Sequence, residues 1–181
     1  RYHEVLIYVP RKNGKSTLAA ALAITILLLD DEYGAEVYGA AATRDQAGLV
    51  FDIAKAMVKH EPVLSDRIRI FRKSMEVKGD ETSFYRTISS DALTNHGFNA
   101  HAFIIDELHA QPDRELVDTL ETSVGARKQP LKIYITTADW KRESICNEKY
   151  NYAKAVRAGR HATPVFDFLP VIFEASIEDD W

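Results

Sequence analysis

Cysteine is nearly absent from this 181-residue chain, with Cys146 the only one. A single thiol excludes an internal disulfide framework and any zinc site built on cysteines, and it fits a reducing compartment. Long hydrophobic runs are missing too. The longest, Leu18 to Leu29, stops at Asp30-Asp31-Glu32, well short of the roughly 20 residues that a membrane helix needs. It therefore reads as a buried core helix, and no signal-peptide pattern precedes it. Positive charge is not in excess: 23 Lys and Arg stand against 27 Asp and Glu, a formal net charge of −4. That balance argues against a histone-like or arm-type protein that coats DNA nonspecifically, although not against a motor that grips DNA through a few local cations. There is no internal repeat and no low-complexity tract.

What is present is the composition of a soluble globular domain, 46% hydrophobic and 28% charged, at a length that suits one domain with a substantial core. The chain opens on Arg1 and reaches a hydrophobic strand four residues later, which reads as a fragment or a mature product of a longer protein. Val5 to Val9 is a short apolar run, rich in β-branched residues and closed by Pro10, and is expected to be a buried strand. A helix is expected from about Ser16 to Leu29, a strand over Glu36 to Ala42, and a helix over Arg44 to Lys59 with its apolar face at Ala47, Val50, Phe51, Ala54 and Val58. Ile68 to Ser89 alternates more and is expected to be antiparallel or irregular. Ala102 to Ile105 reads as another buried strand, Arg114 to about Val124 as a helix, Lys132 to Thr136 as a strand, and about Arg142 to Ala158 as a helix stopped by Gly159. Phe166 to Phe173 is a strand-like run broken by Pro170. Strands alternating with helices predict the α/β class, with a mainly parallel sheet covered on both faces.

Three motifs fall at strand ends of that scheme. Pro10 to Thr17, PRKNGKST, joins the first strand to the first helix. Backbone N–H groups at such a helix start point at an anion, and the helix dipole favours negative charge. Gly14 brings the backbone close to phosphate, Lys15 reaches the β and γ phosphates, and the Ser16 hydroxyl ligates Mg²⁺. The common G-x-x-x-x-G-K-[ST] pattern would place its first glycine at Val9, so the motif departs from that form. Second, AFIIDELHA (Ala102 to Ala110) ends a buried strand in two carboxylates. Asp106 is expected to hold the hydrated Mg²⁺ and Glu107 to polarise the attacking water as a general base. A kinase gains nothing from a carboxylate that activates water, so the pair points to ATP hydrolysis. Third, Thr136-Thr137-Ala138 closes a neighbouring strand, where hydroxyls are placed to sense the γ-phosphate.

Together these motifs resemble the large terminase family of tailed phages: an arginine-bearing phosphate loop without its first glycine, a strand ending Asp-Glu, and a Thr-Thr-Ala motif. Ala41 to Val58 is similar to that family's second strand and following helix, and the resemblance runs from about Val5 to Trp181. It implies a P-loop NTPase of the RecA-like kind over residues 1–181 and an ATPase that drives double-stranded viral DNA into a procapsid. By the same resemblance Arg11 contacts the γ-phosphate and serves catalysis beside Glu107. Arg11, Lys12, Asn13, Gly14, Lys15, Ser16, Thr17, Thr136 and Thr137 bind ATP, Ser16 and Asp106 hold Mg²⁺, and Thr136 and Thr137 couple hydrolysis to movement. The implied partners are double-stranded DNA, a portal protein, a small terminase subunit and further copies in a homo-oligomeric ring. The implied location is the cytoplasm of the infected bacterial host, with no membrane. The upstream adenine-binding segment and the downstream nuclease acids of the family are not found, so weak ATP binding and no DNA cleavage are expected of the chain.

Other features stay open. Arg44, Arg86, Arg114 and Arg127 are candidates for an arginine finger given to a neighbouring subunit, and each also reads as an ordinary surface or salt-bridge residue. His109 could sense the site or be structural. Arg67, Arg69, Arg72 and Lys73 form a basic cluster that suits DNA phosphates or a solvated edge. Phe166, Phe168, Phe173 and Trp181 suit core and interface packing. The alternatives are a superfamily 2 helicase or restriction-type translocase lobe, where Asp-Glu-x-His also ends a strand, a nucleotide-dependent switch without turnover, and a nuclease, for which no acidic triad speaks.

Overall fold

Apolar runs too short for helices, separated by amphipathic stretches, place eight strands in one sheet among the described residues. The computed structural model describes residues 2–90, 97–139, 143–160 and 165–174. The strands are β1 (Glu4–Tyr8), β2 (Glu36–Ala41), β3 (Ile68–Ile70), β4 (Ser74–Val77), β5 (Asp80–Ser89), β6 (Ala102–Asp106), β7 (Leu131–Thr136) and β8 (Phe168–Ile172). The helices are α1 (Lys15–Leu29), α2 (Arg44–His60), α3 (Pro62–Arg67), α4 (Glu115–Ser123) and α5 (Ile145–Arg157). Sheet order is β3-β4-β5-β2-β6-β7-β1-β8. From β5 to β8 all neighbours are parallel, so the α/β expectation holds. Among the described residues no helix is long and apolar enough to cross a membrane.

Alternation along each strand sends successive side chains to opposite faces. Ile7, Val37, Ile104, Ile133 and Ile135 join α1 and α2 in one core. Leu6, Tyr38, Phe103, Ile105 and Tyr134 join α4 and α5 in the other. β6, in the middle, is buried at every position, as a parallel strand covered on both faces must be. The five apolar positions of α2 are those expected. Gly39 in β2 is set by packing: a Cβ there would lie 2.5 Å from the Tyr85 hydroxyl.

The structure corrects the expectations at four places. The segment from Ile68 to Ser89 is only half antiparallel. β3 and β4 pair that way, but β5 also runs parallel to β2 along all of β2, so it belongs to the main sheet. α3 appears where no helix was expected, started by Pro62 and by Glu61, whose side chain accepts from Val63 N–H. α5 begins at Ile145 because Ser144 caps it, accepting from Asn147 N–H at 3.1 Å; residue 142 lies outside the described residues. Pro170 does not break β8, which runs through it. β8 is an edge strand, where a missing N–H can face solvent.

Candidate active site

The chain reverses direction of travel across the sheet around β1. From β1 it crosses through α1 to β2, and from β7 through α5 to β8 on the other side. Such a switch point leaves a crevice at the carboxyl ends of the strands, and all three motifs end there.

Residues 9–14 lead from β1 into α1. Val9 N–H donates to the Thr136 carbonyl at 3.0 Å, tying the start of the loop to the tip of β7. Lys12 and Gly14 take left-handed backbone, φ 66° and 71°, and the Asn13 amide steadies the turn by donating to the carbonyls of Pro10 and Arg11. Gly14 is the N-cap of α1 and no side chain caps the helix. A Cβ at Gly14 would meet nothing within 4 Å, so the loop is open there. The first-turn N–H groups are thus presented to an anion, with the positive end of the helix dipole behind them.

Lys15 is only 6% exposed. A buried ammonium needs an opposite charge, and Glu107 Oε1 stands 3.5 Å from its Nζ. Ser16 Oγ donates to Asp106 Oδ2 at 2.8 Å. Asp106, the last residue of β6, is buried, and burial pushes its carboxyl above the usual carboxylate range. The Ser16 hydrogen bond acts in the opposite direction, and the adjacent Glu107 charge adds to the rise. A hydroxyl and a carboxylate side by side are the hard oxygen donors that suit Mg²⁺, which completes its shell with water and phosphate oxygens. The residues fit a magnesium nucleotide.

Glu107 holds φ 54° and ψ 54°, an uncommon conformation for a non-glycine residue and one that collects at functional sites. It starts a single 3-10 turn, Leu108–Ala110. That turn returns His109 to the site: Nδ1 lies 3.2 Å from Glu107 Oε2 and 3.3 Å from Thr136 Oγ1. Glu107 Oε2 is buried without hydrogen-bond geometry to any described group. Thr136 is fully buried and Thr137 nearly so. Cys146, at the start of α5, places Sγ 3.5 Å from Thr136 Oγ1, and burial pushes its thiol up to about 11.

Of the residues expected at the site, the structure brings together Lys15, Ser16, Asp106 and Glu107, with Thr136 one strand away. Arg11, Lys12, Asn13 and Thr17 lie around the loop, all four of them exposed. The sequence alone leaves His109 between a sensing and a structural role and shows Cys146 only as a lone thiol. The position two residues after Glu107 is the one signal that pointed to His109.

The arginine candidates separate. Arg127 is tied down: 10% exposed, it pairs with Glu32 and Glu36 and donates to the carbonyls of Asn99 and Gly34. These partners lie before or at the start of β2 and β6, at the end of the sheet opposite the phosphate loop, so Arg127 is a structural residue. Arg114 pairs with Asp118 and Glu148 on the surface. Arg86 lies 4.7 Å over the Phe84 ring, and with Arg44, Arg72 and Lys73 it lines a cleft of about 780 Å³ beside α2 and β5. The basic cluster is divided, because Arg67 donates to the Leu28 carbonyl and Arg69 pairs with Glu81. Phe168 is core, whereas Phe166 and Phe173 are exposed and residue 181 lies outside the described residues.

A family model described as "Terminase large subunit, ATPase domain" matches residues 1–155. The chain is similar to the terminase large subunit of Enterobacteria phage HK97, 29% identical over 136 residues, 73% of this chain and 27% of that protein. The crystal structure of the HK97 large terminase superposes with a TM-score of 0.84 at 23% identity, over 99% of this chain and 37% of that one. A large terminase from a thermophilic bacteriophage, solved in complex with ADP, gives a TM-score of 0.53 at 12% identity over 74% of this chain and 33% of that one. The chain thus spans about a quarter of the length of the curated relative.

Proposed function

The chain belongs to the ATPase-domain family of large terminase subunits, and on that premise we propose that it hydrolyses ATP to drive double-stranded DNA into a viral procapsid. One observation supports this reading above the others. The strand ending Asp106-Glu107 is held to the phosphate loop twice, through Ser16 and through Lys15. The helicase-lobe alternative has no support from the relatives.

In this reading the first-turn N–H groups of α1 and Lys15 hold the β and γ phosphates, with Lys12, Asn13, Gly14 and Thr17 lining the loop. Arg11 reaches the γ-phosphate from the rim. Ser16 and Asp106 would hold Mg²⁺, which would neutralise charge that develops on the transferred phosphoryl group. Phosphate oxygens give Lys15 a new partner and release Glu107 from it. Glu107 then accepts a proton from the attacking water, and its buried, unsatisfied Oε2 is the kind of acceptor such a water requires. Thr136 and Thr137 carry the change at the γ-phosphate into β7. Membership of the family supports the wider assembly in the same reading: a homo-oligomeric ring with a portal protein and a small subunit, acting in the cytoplasm of the infected bacterium.

The test is a packaging reaction with procapsids, DNA and the full-length protein. Glu107→Gln should keep ATP binding, lose turnover by about 10²–10⁴-fold, and leave the DNA open to nuclease. Parental hydrolysis in that variant, or strand separation in place of packaging, would overturn the proposal.

A further inference from the structure

The hydrolytic reading above leaves Glu107 without a group that aims it once Lys15 turns to phosphate. Two carboxylate oxygens face two neighbours here, Oε1 toward Lys15 and Oε2 toward His109 Nδ1. The second neighbour is fixed from behind. His109 backbone N–H donates to Thr136 Oγ1 at 3.2 Å, and its ring Nδ1 lies 3.3 Å from the same oxygen. A neutral imidazole nitrogen either donates or accepts. Nδ1 therefore stands at a fork: as N–H it lies 3.2 Å from Glu107 Oε2, which a small rotation of the carboxylate would bring into line, and 3.3 Å from Thr136 Oγ1, and as a bare nitrogen it can only accept from Thr136.

Thr136 is constrained in the same way. Its hydroxyl has one proton. Three acceptors surround it: the Thr137 carbonyl at 3.1 Å, His109 Nδ1 at 3.3 Å and Cys146 Sγ at 3.5 Å. A proton on Nδ1 directed at Glu107 leaves the Thr136 proton to Thr137 or Cys146, and the bare nitrogen draws it back. The orientation of the base at the end of β6 is thereby linked to the orientation of a hydroxyl at the end of β7, and through Cys146 to the first turn of α5.

We propose that His109 is a positioning residue for ATP hydrolysis: once Lys15 turns to phosphate, the Glu107 carboxylate rotates into line with Nδ1–H, which holds it for water activation and otherwise serves Thr136, joining the base to the tip of β7. This rests on the hydrolytic reading of Glu107. His109 acts on nucleotide only through Glu107, so it governs the geometry of the base and not nucleotide affinity.

The experiment measures steady-state ATP hydrolysis of the full-length protein for His109→Ala, His109→Asn, Thr136→Val and the double variant His109→Ala with Thr136→Val. Misplacing a catalytic group by about 1 Å can cost about 10²-fold. His109→Ala should lower kcat at least about tenfold while KM for ATP stays within about threefold. His109→Asn puts an amide N–H close to where Nδ1 stands and should recover most of the lost kcat. Because both residues act through one network, the double variant should lose little more than the worse single variant. Unchanged kcat in His109→Ala, no recovery with Asn, or fully additive losses would overturn the role. If His109→Ala does not fold, His109→Phe against His109→Asn makes the same comparison. Glu107→Gln is measured alongside. Parental turnover there defeats the hydrolytic reading itself, whereas an inactive Glu107→Gln beside a fully active His109→Ala defeats the role of His109 alone.

Discussion

Ser16 Oγ donates a 2.8 Å hydrogen bond to Asp106 Oδ2, joining the first turn of α1 to the end of β6 across 90 residues of chain. The bond aligns two oxygens on one small volume, which is what a hard divalent ion asks of its protein ligands. It also opposes the rise that burial gives the Asp106 carboxyl.

Ser16→Ala removes one of those oxygens and frees a buried carboxylate oxygen. Half-maximal ATPase activity should then need at least about tenfold more Mg²⁺, by analogy with losses seen when the surroundings of a metal site are altered. A Mg²⁺ titration of turnover reads this directly. An unchanged requirement would leave Ser16 as a helix-start residue and place the ion elsewhere.

Arg11 lies on the exposed rim of the loop, four residues before Lys15. A guanidinium presents a planar fork that an ammonium cannot reproduce. Arg11→Lys keeps the charge and should lower ATP turnover while changing nucleotide affinity less. Unchanged turnover would return Arg11 to the class of solvated loop cations.

Much of this arrangement was legible from residue order. Val5 to Val9 and Ala102 to Ile105 are short apolar runs that suit parallel strands buried on both faces, and the spacing of Ala47, Val50, Phe51, Ala54 and Val58 names the buried face of α2. Three motifs at three strand ends therefore converge wherever the sheet is parallel. What the order of residues does not carry is partnership in space. Alternation in Asp80 to Ser89 announces a strand but not that it pairs with β4 on one side and β2 on the other. Arg127 looks like any surface arginine until Glu32 and Glu36 are seen around it. His109 acquires meaning only because the left-handed turn at Glu107 folds it back toward Thr136.

A second network holds α5 against the sheet. Lys149 Nζ lies 2.7 Å from both Glu4 Oε1 and Glu121 Oε1, and Glu121 also accepts the Tyr134 hydroxyl. Burial opposes ionisation of Glu121, but the hydrogen bonds from Lys149 and Tyr134 outweigh it and hold the carboxyl below its usual 4.5. A group with a depressed folded pKa stabilises the fold above its unfolded value, and that stability is lost as pH falls through the folded one. Stability against urea should therefore decline as the pH drops below about 4.5, and Glu121→Gln should flatten that decline. Lys149→Met should cost up to about 3 kcal/mol at pH 7, since it leaves the half-buried Glu121 without its cation while Glu4 keeps Lys132 at 3.1 Å. Identical acid profiles for the parent and Glu121→Gln would show that other groups govern the transition.

The last prediction concerns the transfer of hydrolysis into movement. Thr137 is buried at the tip of β7, where its carbonyl accepts the Thr136 hydroxyl at 3.1 Å and where Val9 N–H reaches the neighbouring Thr136 carbonyl. The strand end is thus bonded to the phosphate loop on one side, and on the other Thr136 meets His109, whose Nδ1 lies 3.2 Å from Glu107. In the proposed reaction, loss of the γ-phosphate changes the partners of Lys15 and Glu107 together, and the change reaches β7 from the Glu107 side. A single hydrogen bond is worth only about 1 kcal/mol net, but that suffices to bias an element with two arrangements of similar energy. Thr137→Val keeps the shape and removes the hydroxyl. In the full-length protein, with procapsid and DNA supplied, DNA translocation should fall by a larger factor than ATP hydrolysis. Both rates are measured on one preparation, so that a partly inactive sample lowers them equally. Equal losses would make Thr137 part of the hydrolytic apparatus and move coupling to another residue, with Thr136 the next to test because its hydroxyl contacts the His109 ring, the Thr137 carbonyl and Cys146.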